Sequence, residues 1–301
     1  MTIKTLAAAG LAVVSLIGCA ADEAGFDYGA IAVSGDDIFG LTADGLEFAQ
    51  VDAREQSLPP PETLAVFPAP TSGIDDRIVV GERNVYFNRS EGLYEWARDD
   101  GMLTFIDDST RFDFVVANDD FFYLRANRYE LVRRGVDGVD EVVATPPEFS
   151  GVLSFATNGH ALIWSTFESA WITTIPNGVT ATPLGPPAAN LTIHDGFAYL
   201  ANRGAIARVP LEGGDVEEVV TVANWTPRPH FDRGSMYWQG SATSIDRMRL
   251  DDRATETLVD GDHHIRDIGI GDEHLFYVLA GRQIAERAFV KATARLMTTT
   301  L

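Results

Sequence analysis

Residues 191–220 read LTIHDGFAYLANRGAIARVPLEGGDVEEVV. Three turn signals cut this stretch into four short runs: His194-Asp195-Gly196, Asn202-Arg203-Gly204 and Glu212-Gly213-Gly214-Asp215. Asp-Gly and Asn/Gly combinations tolerate the positive φ that a tight hairpin requires. The runs at 191–193, 197–201, 205–211 and 216–220 are too short for helices and are rich in apolar and β-branched residues. The stretch therefore predicts a four-stranded antiparallel meander.

Working outward, the same unit recurs along the chain. Its aromatic anchors are Phe39, Tyr86, Tyr123, Trp164, Tyr199, Tyr237 and Tyr277. An apolar residue returns at a fixed short distance after most of them, at Leu46, Leu93, Trp171, Ile206 and Ile284. The anchors recur at a mean interval of roughly 40 residues, which is the period of propeller repeats. One small sheet cannot bury both of its faces, whereas sheets packed radially bury them against each other and leave few free edges. The expectation is an all-β fold: a seven-bladed β-propeller of four-stranded antiparallel blades over residues 27–301, with six blades as the alternative count. The first interval, from Phe39 to Tyr86, is the longest because residues 53–73, with Pro59-Pro60-Pro61, carry extra chain, read as an exposed loop on the first blade.

Residues 201–214, ANRGAIARVPLEGG, resemble the repeat of bacterial YWTD-like and TolB-like propellers, and residues 236–252 are a second fair copy. Tyr-Trp-Thr-Asp itself is nowhere intact, since Tyr237-Trp238 runs into Gln239-Gly240. The strict YWTD group is six-bladed. The resemblance implies the broad propeller class and, through the TolB-like members, a third functional reading as a structural part of an envelope assembly.

The N-terminus has a different character. Lys4 precedes an apolar stretch at 6–17, too short to span a bilayer and suited to a signal peptide. Leu16-Ile17-Gly18-Cys19 resembles a bacterial lipobox. The resemblance implies a helical signal peptide at 1–18, lipid attachment at Cys19 and a short tether at 19–26. Several acyl chains make a firm anchor. Ala20, where an Asp would imply inner-membrane retention, points to the outer membrane, with the domain facing the periplasm or the cell surface.

Composition removes other classes. The chain has 301 residues, 44 acidic against 23 Lys and Arg, and a formal net charge of -21. Phosphate backbones demand a concentrated basic surface, so nucleic acid is not the expected partner. With one cysteine, neither an internal disulfide nor a cysteine zinc cluster is available. The protein is expected to be a monomer whose partners are the membrane, through its anchor, and an envelope protein or small ligand.

Candidate ligand-binding residues fall on two connections between repeats. Residues 224–230 supply Trp225, Arg228 and His230: an aromatic plane, a guanidinium and an imidazole, suited to a carbohydrate, a carboxylate or a protein side chain. Residues 260–267 supply Asp262, His263 and His264. Adjacent histidines on an extended chain point to opposite faces, which weakens a shared metal site. Asp113, His194 and Asp267, with His230, are in or near innermost strands and are the candidate channel-lining residues. No cofactor is called for, and a channel calcium or other divalent cation is the one addition these carboxylates and imidazoles suggest. The acidic pairs Asp75-Asp76 and Asp107-Asp108 read as turn residues. No nucleophile elbow, phosphate loop or dinucleotide fingerprint occurs. The sequence favours a non-enzymatic binding or scaffold module. The alternative is a propeller lactonase, lyase or hydrolase with a metal or carboxylate site in its channel.

Overall fold

The computed structural model describes residues 28–42, 44–50, 61–67, 77–89, 91–108, 114–125, 130–144, 152–175, 181–223, 227–271, 274–282 and 292–300. The signal peptide, Cys19, the tether, Asp75-Asp76, Asp113 and Trp225 lie outside these residues.

Among the described residues every regular element is a strand. Blade one is β1 (Tyr28–Ser34), β2 (Asp37–Thr42), β3 (Gly45–Gln50) and β4 (Glu62–Val66). Blade two is β5 (Ile78–Val80), β6 (Asn84–Arg89), β7 (Gly92–Ala97) and β8 (Leu103–Asp107). Blade three is β9 (Phe114–Ala117), β10 (Asp120–Arg125), β11 (Glu130–Arg134) and β12 (Asp140–Ala144). Blade four is β13 (Ser154–Thr157), β14 (Ala161–Ser165), β15 (Ala170–Thr174) and β16 (Thr182–Gly185). Blade five is β17 (Asn190–His194), β18 (Phe197–Asn202), β19 (Ala205–Pro210) and β20 (Glu217–Thr221). Blade six is β21 (His230–Asp232), β22 (Ser235–Gln239), β23 (Ser244–Arg249) and β24 (Thr255–Asp260). A closing sheet follows, made of β25 (His264–Ile270), β26 (His274–Arg282) and β27 (Ala292–Thr300). Strands are hydrogen-bonded to their sequence neighbours in every sheet, all antiparallel.

The expectation of seven four-stranded blades is corrected. Six blades are complete, the alternative count, and the last repeat gives a three-stranded sheet. The reason lies in the length of its hairpin. β26 and β27 pair along their whole length, from His274 opposite Thr300 to Arg282 opposite Ala292, so chain that elsewhere folds into two short strands is used in one long one. A second correction concerns residues 53–73. Glu62–Val66 is the outer strand of blade one, paired with β3 through Leu46–Ala65 and Glu47–Thr63. Its exposed, half-polar pattern is that of an edge strand, which sequence alone does not separate from a loop.

Local chemistry accounts for the hairpins. Asn118-Asp119, Asp195-Gly196 and Arg233-Gly234 have positive φ at both residues, the type I′ geometry whose twist matches two right-twisted strands. The second strand of each sheet carries the aromatic residues because its alternate side chains serve two neighbours. Tyr86 joins the cluster between blades two and three, where it stacks on Phe121 at 3.9 Å, while Phe87 joins the cluster between blades one and two. Phe121 and Tyr123 likewise face blade two, and Phe122 and Leu124 face blade four.

The first strand of each sheet is innermost. β1 lies against β5, β5 against β9, β9 against β13, β13 against β17, and β21 against β25. β17 is tied to the segment entering β21 by Asn190 Nδ2 donating to Pro227 O at 3.2 Å and Thr192 Oγ1 donating to Pro229 O at 3.2 Å. The ring closes where β25 meets β1, around Ile31, Ile38, Phe276 and Val278. Gly269 permits this approach: a Cβ there would stand 2.4 Å from Val33 Cγ2.

Candidate binding site on the ring axis

Four ionisable side chains from three different inner segments interact with one another: Arg77, Arg228, His230 and Asp267. Arg77 precedes β5 of blade two, Arg228 and His230 belong to the start of blade six, and Asp267 is in β25. Blades two and six are not neighbours in the ring, so this electrostatic coupling links separate sheets. Each of the four keeps some surface open to water, yet each is surrounded by protein as fully as a core residue.

The backbone holds each group in place. Arg228 sits between Pro227 and Pro229, which fix their own φ and favour extended backbone before them. Both proline carbonyls are captured by β17, through Asn190 and Thr192. Arg77 is gripped by Asn88, whose Oδ1 accepts from the Arg77 N–H at 2.6 Å, and whose N–H donates to Arg77 O at 3.1 Å. The Arg77 guanidinium lies over the Phe114 ring, 5.1 Å from its centroid. His230 pairs with Tyr237 in the first rung of blade six. Asp267 Oδ2 accepts from the Ile31 N–H of β1 at 3.0 Å, and Oδ1 accepts from the Ile268 N–H at 3.0 Å. A similar stitch joins blades four and five, where Ser154 Oγ accepts from the Leu191 N–H at 3.2 Å. Asp267 therefore serves ring closure.

Electrostatics within the group follow from burial and from the two arginines. Burial lowers the pKa of Arg77 well below its usual value; Arg228 adds to this and Asp267 opposes it. Arg228 is lowered by burial against the pull of Asp267. His230 is pushed down to about 4, chiefly by burial and then by Arg228 and Arg77, so it is neutral at pH 7. Burial raises the Asp267 carboxyl above its usual range, against the Ile31 and Ile268 N–H groups and the two guanidiniums.

The other sequence candidates are placed elsewhere. His194 ends β17, where its ring stacks on Phe231 at 4.3 Å and its Nε2 lies 3.3 Å from Asp195 Oδ2, in the seam between blades five and six. Asp262 and His263, on the connection into β25, and His264, its first residue, are exposed. That connection is docked on blade six by Ile265 N–H donating to Ala242 O at 2.7 Å and by Gln239 Nε2 donating to Ile265 O at 2.7 Å. Among the described residues no three His, Cys, Asp or Glu side chains converge as a metal site would require. Asp107 is paired with Arg125 at 3.3 Å in a network that also holds Glu130 and Asp140. Trp225 and Asp113 lie outside the described residues.

Arg77 was not among the sequence candidates. Its signal was the repeat phase: it enters its inner strand as Arg228 enters blade six, but the long first interval obscures the alignment.

No protein-family model matches the chain, and no curated protein matches it. Solved structures do resemble it. PorZ, an essential bacterial surface component of the type-IX secretion system of Porphyromonas gingivalis, aligns with a TM-score of 0.63 and 12% identity over 89% of this chain. The chain spans 38% of PorZ. Virginiamycin B lyase from Staphylococcus aureus aligns at TM-score 0.62 and 15% identity, covering 92% of this chain and 96% of the lyase. The computationally designed Ika8 protein aligns at TM-score 0.61 and 9% identity, covering 92% of this chain and 97% of that one. At these identities the likeness is one of fold, and it places the chain among β-propellers.

Proposed function

We propose that this protein is a lipid-anchored, extracytoplasmic binding module that seats a small ligand or a partner's side chain at the end of the ring axis where residues 227–230 enter blade six. One observation supports the reading: Arg77, Arg228, His230 and Asp267, drawn from three sheets, are buried and electrostatically coupled, in rigid backbone settings. Preorganised polar groups in a concave, partly dry site are what ligand recognition uses. Anchoring at Cys19, with the domain in the envelope and the outer membrane as its address, accompanies this reading and rests on the lipobox resemblance.

The catalytic alternative, a lactonase, lyase or hydrolase, has His230 and Asp267 as its natural residues. It is the weaker reading, because Asp267 is already committed to two backbone donors and His194 stands apart. A lyase among the solved structures of the same fold does not carry over, since fold does not dictate chemistry.

The test is crosslinking and affinity capture of the intact protein from native membranes, with Arg228→Gln beside the natural chain. The reading expects a bound molecule or partner that the variant loses. Identical capture by both proteins would place the binding surface elsewhere.

A further inference from the structure

We infer that the ring docks on the bilayer through the face at which β1 begins, with Phe167 of blade four seated in the lipid interface. This deepens the reading of a lipid-anchored module and rests on it.

The first argument is strand direction. β1 starts at Tyr28, so the anchored segment reaches the ring at that end of β1. Each sheet is an antiparallel meander, so this entry face also carries the turns between second and third strands and the connections between sheets. The far face carries the other hairpins. Bonds between neighbouring blades show that they share one direction. On the far face Arg98 Nη2 donates to Asp37 Oδ2 at 2.6 Å, and Asn118 Nδ2 donates to Asn158 O at 3.0 Å. On the entry face Arg89 Nη1 donates to Thr42 O at 3.3 Å.

The second argument is reach. Nine steps of chain separate Cys19 from Tyr28, and at no more than about 3.6 Å each they span at most about 32 Å. To bring the far face to the same membrane, the tether would cross three strand spacings of about 4.8 Å to the rim and then pass a strand as long as β1, about 37 Å in all. The entry face is therefore within range of a membrane held at Cys19, and the far face is not.

The third argument is charge. On blades four to six the described entry-face turns and connections balance Glu168 and Asp262 against Arg203 and Arg228. The far-face turns of the same blades set Asp195, Glu212, Asp215, Asp251 and Asp252 against Arg233 and Arg253. An anionic lipid surface repels the second set and tolerates the first.

Phe167 supplies the contact. It is 72% exposed at the tip of the turn between β14 and β15. That turn is held firmly: Thr166 N–H donates to Ser169 O at 2.9 Å, and Ser169 Oγ donates to Gly185 O at 2.8 Å. Ser165 O accepts from the Leu153 N–H at 2.8 Å and Ser165 Oγ from the Ala188 N–H at 2.7 Å, which brings exposed Leu153 and Pro186 to the same tip. An aromatic ring on a fixed turn enters lipid with little ordering cost. Exposed Met102, Val136 and Val139 lie in far-face hairpins, out of reach of the anchored bilayer. Residues 227–230 enter blade six on the entry face, so a partner of that site is met at the membrane.

The test uses the full-length acylated protein in vesicles of phosphatidylethanolamine and phosphatidylglycerol. Cys19 is the chain's one cysteine and its sulfur carries lipid, so Phe167→Cys, Glu168→Cys and Asp99→Cys each offer a single thiol for an environment-sensitive dye. All three positions are exposed, and Asp99 lies in a far-face hairpin. The inference expects dyes at 167 and 168 to emit at shorter wavelength and to be quenched by nitroxide-bearing acyl chains at a depth of about 5–10 Å, while the dye at 99 emits as in water. Adding Phe167→Ser to the Glu168→Cys protein should reduce its quenching, and unchanged quenching would overturn the seating of Phe167. Equal emission from positions 167 and 99, or stronger quenching at 99, overturns the docking face. Flotation separates the two failures: protein that floats with the vesicles but leaves the dye at 167 unquenched keeps its anchor and loses this face, whereas protein that does not float loses both.

Discussion

Acidification from pH 7 to pH 5 should cost the natural protein about 2 kcal/mol more than it costs a His230→Gln variant. The figure follows from the position of one ring. His230 is pushed from 6.5 to about 4, first by burial and then by Arg228 and Arg77. Its folded-state pKa lies below the unfolded one, so the folded state binds fewer protons. The stability it contributes is complete above about pH 6.5 and is lost as pH falls toward 4. At pH 5 the unfolded histidine is mostly protonated and the folded one is not. The interval from 6.5 down to pH 5, at about 1.4 kcal/mol for each pH unit, amounts to about 2 kcal/mol. His230 retains some open surface, and solvent screening makes this an upper figure. The assay is urea unfolding followed by tryptophan fluorescence, at both pH values, for both proteins. Every other titrating group is common to the pair and cancels in the difference between them. Losses that agree within about 0.5 kcal/mol, the margin to which independent effects add, would refute the burial of His230.

Three other perturbations follow from the same structure. Asp267→Ala strips the acceptor from the Ile31 N–H and leaves two guanidiniums without their carboxylate, which should cost about 3 kcal/mol in urea unfolding; Asp267→Asn, which keeps an acceptor, should cost less. Gly269→Val puts side-chain atoms where Val33 Cγ2 already lies 2.4 Å from the site of a Cβ, and should lower stability by about 1–3 kcal/mol; an unchanged melting temperature would mean that β25 and β1 do not meet as described. Cys19→Ala should move the protein from the membrane pellet to the soluble envelope fraction, and continued pelleting would remove the lipid anchor from the account.

Much of the fold was legible because propeller strands obey short-range rules. Asp195-Gly196 and Arg233-Gly234 announced tight turns, and both residues of each adopt positive φ. The aromatic anchors marked second strands because a strand between two neighbours needs apolar side chains on both faces, as Tyr86 and Phe87 show. The final sheet was not legible as three-stranded. The long register of β26 and β27 depends on pairing between segments that carry no turn signal of their own. Glu62–Val66 was missed for the opposite reason: an outer strand with one half-exposed face and flanking prolines looks like a loop.

The candidate site was legible in part. Arg228 and Asp267 stand one repeat apart, and Pro227-Arg228-Pro229 stands out as a stiff connection. What couples them to Arg77 is the closing of the ring, a long-range event that brings charged groups of separate blades within electrostatic range. His194 shows the reverse case. Its separation from His230 is also close to one repeat, but it ends its strand where His230 begins one, and the π-face of Phe231 takes it up. Sequence period fixes which repeat a residue belongs to, while the position along the inner strand decides what it faces.

The claim that matters most is that the ring gathers Arg77, Arg228, His230 and Asp267 on its axis. An NMR titration of the histidine ring resonances, with His230 assigned by comparison with His230→Gln, tests it most directly. The account predicts a pKa of about 4 for His230 and an upward move toward the ordinary value in Arg228→Gln. A value near 6.5 in the natural protein, unmoved by Arg228→Gln, would contradict it.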